Sequence, residues 1–339
     1  MKSIAFYLHH GIYGGGERVL LTMMDEFFKR GYDVFVFSSN EAINRDNIKY
    51  PLYIFTGSKP CQILKIAYQF HRLKIDAMIM FGAMTQYFVA SRISNVKFVF
   101  SLRIDVSQLR YDKTLVRWLI NKCEKCVFQT NTILKQFPKN VQSKSCVIYN
   151  PIMDDLPAIA STRTKKIAMV GRMVPDKNQE MGIRAFEKIK SNGYSLHIFG
   201  QGPLRAEQEK LVKELKLEGQ VFFEGQVKRV VDCLKDYEIF ILPSNFEGMP
   251  NALIEAMAMG LACITTDFPS GAARELIRNN ENGIIVPCND TDAMANALQR
   301  VITDDSFKLK LQRNAMSIRN LLDRDTIIEK WINIIEQQI

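Results

Sequence analysis

Short apolar runs alternate along the chain with longer segments that carry apolar residues at helical spacing. The first run, residues 3–8 (SIAFYL), precedes a segment whose apolar residues repeat every three to four positions until Gly31 ends the helix. Further strands are predicted at residues 33–38, 76–81, 97–102, 125–130 and 145–150, and then at 165–171, 195–200, 221–225, 238–244 and 262–266. Apolar strands separated by helices of about ten residues or more are typical of parallel sheets covered on both faces.

A segment with weak periodicity, residues 151–163, separates the two series of strands and is predicted to be a linker. The 339 residues are enough for two domains of ordinary size. We therefore expect an α/β protein with two doubly wound, Rossmann-like domains at 1–150 and 164–322, which face each other across a cleft at the carboxyl ends of their strands. The last helical segment, residues 323–339, is expected to pack back on the N-terminal domain.

Two features of the composition exclude classes of protein. No apolar run reaches the roughly eighteen residues of a transmembrane helix, and the N-terminus lacks the pattern of a signal peptide, so we expect a cytoplasmic protein. Seven cysteines, an odd number in a long chain, favour reduced thiols. Cys123 and Cys126 form a single CxxC after a helical segment, which favours neither a zinc site nor a thioredoxin-type redox pair.

The net charge of +9 is concentrated in the N-terminal half, where residues 1–150 contain 21 Lys/Arg against 10 Asp/Glu. A basic N-terminal half favours an anionic partner: nucleic acid, acidic lipid or a phosphorylated substrate. Basic and aromatic residues interleave at 59–74 and 103–125, as in segments that lie on anionic lipid. A solvated basic helix face is the alternative interpretation of each segment.

The residues richest in chemistry follow the apolar strand at 238–242. Pro250 is placed to begin a helix, whose free amides would bind an anion beside Glu247. Glu255 lies two turns further, among Ala, Leu, Ile and Met, where a carboxylate needs hydrogen-bond partners. A ligand rich in hydroxyl groups would supply those partners.

The segment from Glu247 to Glu255 resembles the EX7E signature of retaining GT-B glycosyltransferases of family 4. Similar segments lie elsewhere in the chain. Residues 171–178 resemble the family's GR…K(N) segment, residues 200–203 its GxGP turn, residues 275–283 its downstream E-L-I…NG segment, and residues 14–18 its GGxER loop. The resemblance extends from about residue 11 to residue 290.

The resemblance implies transfer of a hexose or N-acetylhexosamine, with retention of configuration, from a nucleotide diphosphate sugar, expected to be a UDP-sugar. Glu247 would bind the transferred sugar and Glu255 the ribose of the donor. Arg172 and Lys177 would neutralise the diphosphate, so that no metal ion and no cofactor is expected. The other predicted donor-binding residues are Gly14, Gly15, Gly200, Gly248, Met249, Pro250, Asn251, Ala252 and Leu253.

The acceptor side is predicted in the N-terminal domain, from Arg103, Asp105 and His10. Many family members carry a histidine at the corresponding strand end, whereas residues 100–105 here read FSLRID, similar to a variant in bacterial surface-polysaccharide transferases. A structural ion pair is the alternative role for Arg103 and Asp105. His9 and His10 could line the cleft, and a structural or solvent-facing role is the alternative for them. The resemblance implies a lipid-diphosphate-linked glycan as acceptor, at the cytoplasmic face of the inner membrane, in polysaccharide or lipopolysaccharide biosynthesis.

Three alternatives stay open at this point: a GT-B epimerase acting on UDP-sugars, an inactive sugar-nucleotide-binding protein and a basic nucleic-acid-binding protein. The combined motifs disfavour the epimerase, and no recognised nucleic-acid motif accompanies the basic half. A nicotinamide dehydrogenase is disfavoured because the glycines at 11, 14, 15 and 16 do not fit GxGxxG. The second strand also ends in Ser38, Ser39 and Asn40, without the acidic residue that binds a ribose.

Overall fold

A computed structural model describes residues 2–9, 14–46, 48–82, 84–103, 113–153, 155–189 and 192–337. The chain divides into two compact units. The first unit comprises Met1–Met153 together with Arg324–Ile339, and the second unit comprises Asp154–Asp323. Both are α/β units built on a parallel sheet, as the alternation of apolar runs and helical segments predicted.

The first unit contains a seven-stranded parallel sheet in the order β3-β2-β1-β4-β5-β6-β7. Its strands are β1 (Ser3–Tyr7), β2 (Asp33–Ser38), β3 (Leu52–Ile54), β4 (Ala77–Phe81), β5 (Lys97–Leu102), β6 (Lys125–Phe128) and β7 (Ser145–Val147). Its helices are α1 (Gly15–Lys29), α2 (Lys59–Arg72), α3 (Thr85–Ile93), α4 (Lys113–Lys122), α5 (Asn131–Leu134), α6 (Lys139–Gln142) and, at the C-terminal end, α15 (Arg324–Glu336). All five residues of β1 are buried, because this strand lies between β2 and β4 and is covered on both faces.

Helix α15 returns the chain to the first unit after the second has been completed. The side chain of Trp331 in this helix is fully buried. The centre of its ring lies 6.0 Å from that of Phe81, at the end of β4. At the start of the helix, the guanidinium of Arg324 donates to the carbonyl oxygens of Ile152 and Met153. Apolar packing and these hydrogen bonds together hold α15 within the first unit.

The second unit contains a six-stranded parallel sheet in the order β10-β9-β8-β11-β12-β13. Its strands are β8 (Thr164–Val170), β9 (Ser195–Phe199), β10 (Val221–Gly225), β11 (Tyr237–Leu242), β12 (Ala262–Thr266) and β13 (Ile284–Val286). Its helices are α7 (Gln179–Glu187), α8 (Arg205–Glu214), α9 (Val230–Leu234), α10 (Asn251–Ala258), α11 (Ala272–Leu276), α12 (Thr291–Thr303), α13 (Asp305–Ala315) and α14 (Ile318–Leu321).

Each sheet has a switch point, where two neighbouring strands are followed by connections that lead to opposite edges. In the first unit the switch point lies between β1 and β4, and in the second unit between β8 and β11. In sheets of this kind, ligands bind in the crevice outside the carboxyl ends of the strands at the switch point. The loops after these four strands are therefore where function is expected.

Every strand predicted from an apolar run is present, but two strands were not predicted. Both, β3 and β13, contain only three residues and lie at a sheet edge. An edge strand needs few apolar residues, because it is covered less completely than a central one.

Within the described residues, the helices are all too short or too polar to cross a bilayer. The seven cysteines, all among the described residues, form no disulfide. Cys123 and Cys126 are both buried. The described residues also contain no cluster of three or more side chains suited to holding a metal ion.

Candidate functional site

An ion pair connects the two loops at the switch point of the second unit. After β8, the chain forms a single 3-10 turn at Pro175–Lys177, and Nζ of Lys177 donates to Oε1 of Glu247 at 2.6 Å. The side chains are 21% and 10% exposed, so both charges are largely shielded from water. The hydroxyl of the fully buried Ser244 donates to the same carboxylate oxygen at 2.8 Å. Glu247 is thereby fixed at the carboxyl end of β11.

Main-chain and amide contacts keep these two loops together. The amide of Asn245 donates to the carbonyl oxygen of Asp176 at 2.9 Å. Asn178 adopts a left-handed conformation (φ 46°), which asparagine tolerates better than most residues, and its Nδ2 lies 3.3 Å from Oδ1 of Asn245. The positions of Lys177 and Glu247 are therefore set by the backbone on both sides.

Arg172 lies two residues after the end of β8 and is exposed. Its carbonyl oxygen accepts a 2.8 Å hydrogen bond from Nε2 of the buried Gln179, which fixes the backbone while the guanidinium extends from it. Among the residues that the structure describes, this guanidinium makes no ion pair. A cation without an acidic partner at the carboxyl end of a sheet is suited to bind an anionic ligand.

Two glycines let the loop after β9 lie directly against the loop after β8. Gly200 has φ +131°, and a Cβ there would lie 2.1 Å from the carbonyl oxygen of Gly171. At Gly202, a Cβ would lie 2.3 Å from the carbonyl oxygen of Met173. The GxGP segment therefore shapes the loop that carries Arg172. This contact explains why glycine stands at Gly200, a residue that the sequence predicts to bind the donor.

Helix α10 begins beside Glu247. Pro250 is the capping residue and Asn251 the first helical residue, one position later than predicted from Pro250. Because proline has no N–H, the first amide that the helix offers belongs to Asn251. Among the other predicted residues of this segment, Gly248 is held by a 2.9 Å hydrogen bond from Ser270 Oγ to its carbonyl oxygen, Met249 is buried, Ala252 is partly exposed, and Leu253 is fully buried.

Glu255 is only 2% exposed, and its neighbours in α10 are apolar residues that are also buried. A carboxylate in such surroundings is costly unless other groups hydrogen-bond to it. Glu255 lies one helical turn after Asn251, the first residue of α10.

The predicted residues of the first unit are described only in part. Gly14 has an extended conformation (φ −92°), so its backbone angles do not require glycine. It caps α1, and its amide donates to Oε2 of Glu17 at 3.2 Å; Gly15 is the first residue of that helix. His10 and Asp105 lie outside the described residues.

Arg103 lies at the carboxyl end of β5 and makes cation–π contacts with two rings of the first unit. The centre of its guanidinium is 3.8 Å from the ring centre of Phe81 and 5.5 Å from that of Trp331. Nη1 donates to Oδ1 of Asn150, which also accepts a 3.0 Å hydrogen bond from Gln129. Nε and Nη2 are buried and have no hydrogen-bond partner among the described residues. Burial lowers the pKa of Arg103 to about 9, so the group remains a cation at neutral pH.

Sequence reasoning missed the residues that fix the site rather than form it. Ser244, Gln179 and Ser270 each bond to a predicted site residue, and all three are at most 1% exposed. The signal that would have found them is a polar residue close to a predicted strand or helix end, but such residues are common in loops.

Comparison with known families accounts for most of the chain. A family model described as glycosyltransferase family 4 matches residues 13–156. A second, described as glycosyl transferases group 1, matches residues 157–317. The two matches are adjacent and together cover 13–317, which includes every predicted donor-site residue of both units.

Individual relatives are enzymes of the same kind. The chain is 26% identical, over 96% of its length and 96% of the relative's, to the N-acetylgalactosamine-N,N'-diacetylbacillosaminyl-diphospho-undecaprenol 4-alpha-N-acetylgalactosaminyltransferase of Campylobacter jejuni. It is 31% identical, over 50% of its length and 48% of the relative's, to the same organism's GalNAc-alpha-(1->4)-GalNAc-alpha-(1->3)-diNAcBac-PP-undecaprenol alpha-1,4-N-acetyl-D-galactosaminyltransferase. The crystal structure of Anabaena Alr3699/HepE in complex with UDP superposes with a TM-score of 0.83 at 18% identity, over 99% of this chain and 100% of that one.

These findings decide between the alternatives that the sequence left open. Neither of the two curated relatives described above is an epimerase or a nucleic-acid-binding protein, and the epimerase alternative is not supported. The structural likeness confirms the predicted fold class. The chain therefore belongs to glycosyltransferase family 4 and is a glycosyltransferase with the GT-B fold.

Proposed function

We propose that this enzyme transfers a hexose or N-acetylhexosamine, with retention of configuration, from a UDP-sugar to a lipid-diphosphate-linked glycan during the synthesis of a cell-surface polysaccharide. The observation that carries the donor side of this proposal is the ion pair between Lys177 and Glu247, beside the exposed Arg172 at a sheet switch point. Two cations and an oriented carboxylate on the loops of one switch point match the two ends of a nucleotide diphosphate sugar.

The two cations act on the leaving group. When the bond between the anomeric carbon and the diphosphate breaks, negative charge grows on the phosphate oxygens, and Arg172 and Lys177 stabilise it. The acceptor oxygen forms the new bond on the same face of the sugar, and its proton passes to the departing phosphate oxygen. Side-chain cations supply the charge stabilisation in this scheme, so it requires no metal ion.

Glu247 binds a hydroxyl of the transferred sugar and Glu255 binds the ribose. The hydrogen bond from Ser244 and the ion pair with Lys177 orient Glu247 before the donor arrives. Glu255 is buried in α10, one helical turn after the first helical residue, Asn251. The amide of Asn251 and the backbone around Gly248 and Met249 line the phosphate and sugar.

The first unit, on this proposal, receives the acceptor and the second unit the donor. Support comes from the two Campylobacter relatives, whose names specify undecaprenol-diphosphate-linked substrates, and from the UDP in the Anabaena complex. Arg103 is the acceptor-side residue that the structure describes. It is a partly buried cation whose Nε and Nη2 lack described partners, so an anionic group such as a diphosphate complements it.

The membrane surface is proposed as the place of the reaction. Leu64 and Tyr68 lie one turn apart on α2 and are 68% and 66% exposed, which is unusual for large apolar side chains. Lys65 and Arg72 are exposed on the same helix. An apolar pair with basic neighbours is the arrangement with which helices lie on anionic lipid.

The proposal is tested by mixing the purified enzyme with a panel of UDP-sugars and a synthetic polyprenyl-diphosphate-linked N-acetylhexosamine. We expect the acceptor to gain one sugar with release of UDP, and the anomeric proton coupling of the product to match that of the donor. Consumption of a UDP-sugar without acceptor, or a product of inverted configuration, would contradict the proposal. Glu247→Gln serves as the inactive control.

A further inference from the structure

A third loop contacts the two loops that meet at the switch point of the second unit. This loop, residues 287–290, follows the edge strand β13. Nδ2 of Asn178 donates to Oδ1 of Asn289 in this loop at 3.1 Å, and to Oδ1 of Asn245 at 3.3 Å. The thiol of Cys288 lies 3.9 Å from the carbonyl oxygen of Ser244. The loop after β13 therefore touches both the loop after β8 and the loop after β11.

Two packed helices bring these loops together. Helix α7 begins at Gln179, directly after Asn178, and helix α12 begins at Thr291, two residues after Asn289. The two helices contact each other and bury apolar residues in the same core. The hydrogen bond between the two asparagines therefore joins the chain just before both helices begin.

The geometry explains why asparagine stands at both positions. The carboxamide of Asn178 has two N–H bonds, which match the two carboxamide oxygens of Asn245 and Asn289. The sulfur of Met181, at 3.7 Å, is a weaker acceptor. Asn178 and Asn289 both have left-handed backbones, with φ 46° and φ 60°, which asparagine tolerates better than most residues. Each position thus uses both the backbone tolerance and the short polar side chain of asparagine.

We infer that Asn289 is a positioning residue of the donor site, which acts through Asn178 on Lys177. Lys177 directly precedes Asn178, so a movement of the Asn178 backbone also moves the lysine, whose Nζ donates to Glu247 at 2.6 Å. The hydrogen bond to Asn289 limits that movement. The inference rests on the proposed function, because it takes Lys177 to bind the diphosphate. It extends the donor site to the loop after β13, which contains none of the predicted donor-binding residues.

The experiment removes one carboxamide at a time without changing the backbone. Asn289→Gly keeps the left-handed conformation, because glycine adopts it without strain, and deletes only the side chain. The loss of one hydrogen bond should raise the Kd for UDP and the donor KM roughly 3- to 10-fold. The kcat at saturating donor should change less than about 2-fold, because Ser244 still orients Glu247. Calorimetric titration with UDP and steady-state transfer assays measure these quantities.

A double variant tests whether Asn289 acts through Asn178. If it does, Asn178→Gly/Asn289→Gly should bind UDP as Asn178→Gly alone does, because the second substitution removes a partner that no longer has a donor. Losses of affinity that add in the double variant would overturn the inference.

Asn280→Gly is the matched control. Asn280 is also left-handed (φ 63°), and its Oδ1 accepts one hydrogen bond, from Nη1 of Arg300 at 2.8 Å, but it precedes β13. Asn280→Gly and Asn289→Gly should lose similar stability in urea, whereas only Asn289→Gly should lose affinity for UDP. If the wild type binds UDP and Asn289→Gly binds it equally well, the inference fails while the proposed function stands. If the wild type does not bind UDP, the proposed function fails and the inference fails with it.

Discussion

Lys177 and Glu247 are 70 positions apart in the chain, yet Nζ of the lysine donates to Oε1 of the glutamate at 2.6 Å. The pair lies where the loops after β8 and β11 meet, at the switch point of the second unit. Without a donor, the two charges balance each other in a largely buried position. On the proposed function, the diphosphate gives the lysine a second anion to bind, and the hydrogen bond from Ser244 keeps the glutamate oriented toward the sugar.

The two members of this pair should separate binding from chemistry. Lys177→Met removes a charge-assisted contact to the diphosphate, so UDP affinity should fall by about 1.5–3 kcal/mol. Glu247→Gln keeps the shape of the side chain, so UDP affinity should change little, whereas kcat should fall about 100-fold or more. Calorimetric titration with UDP and steady-state transfer assays measure the two effects.

Arg184→Met is the control for this prediction, since Arg184 is exposed on α7 and pairs only with Glu180 of the same helix among the described residues. Equal losses of UDP affinity in Glu247→Gln and Lys177→Met would contradict the separate roles.

Gly200 should tolerate no side chain. Gly200→Ala places a Cβ 2.1 Å from the carbonyl oxygen of Gly171 at φ +131°, so we expect the free energy of unfolding to fall by about 3 kcal/mol or more, together with a loss of UDP affinity as the Arg172 loop shifts. Gly219→Ala, also at positive φ (+78°) but with no atom within 4 Å of the new Cβ, should cost only about 1 kcal/mol and leave UDP affinity unchanged. Urea denaturation measures the free energy of unfolding of both variants. Similar losses of stability in Gly200→Ala and Gly219→Ala would contradict the close contact at Gly200.

Arg103 should matter for the acceptor and not for the donor. Arg103→Met keeps contact with the aromatic rings but removes the cation, so the acceptor KM should rise about 10-fold or more while UDP affinity is unchanged. Arg103→Lys keeps the charge but loses the planar contact with Phe81 and Trp331, and we expect an intermediate KM. If Arg103→Met folds and has the same acceptor KM as the wild type, Arg103 has only a structural role and the prediction is wrong.

Membrane binding should depend on the exposed apolar pair of α2. In Leu64→Ser/Tyr68→Ser, binding to vesicles of phosphatidylglycerol and phosphatidylethanolamine should weaken about 10-fold or more, because both exposed side chains lose apolar contact with lipid. Leu309→Ser, at a 47% exposed leucine on α13 of the second unit, is the control. Vesicle cosedimentation measures the effect, and equal binding by both variants would point to another surface.

The sequence indicated the central strands and the ends at which the site lies, because apolar runs and the EX7E, GR…K and GxGP segments are local patterns. It gave no sign that Lys177 and Glu247 touch, since that contact depends on the sheet order that brings β8 beside β11. The role of Gly200 likewise depends on how two loops pack, which a single motif does not encode.

The first unit was harder to interpret for a related reason. The sequence placed His9 and His10 together after the first strand and favoured His10 for the acceptor side. The hydrogen bonds that hold His9 come from Tyr7, the last residue of β1, and from Asn40 in the loop after β2. Polar networks of this kind join residues that are distant in the chain, so no pattern along the sequence reveals them.

The most direct test of the donor site is the thermal stability of the wild type and of Glu255→Gln, measured with UDP, GDP and ADP at saturating concentrations. A ligand present at about 100 times its Kd adds roughly 2.7 kcal/mol to the native state. We predict that UDP raises the melting temperature of the wild type and of the control Glu180→Gln, and that the increase is largely lost in Glu255→Gln. An equal increase in all three proteins, or no increase with any nucleotide, would contradict the assignment of the donor site.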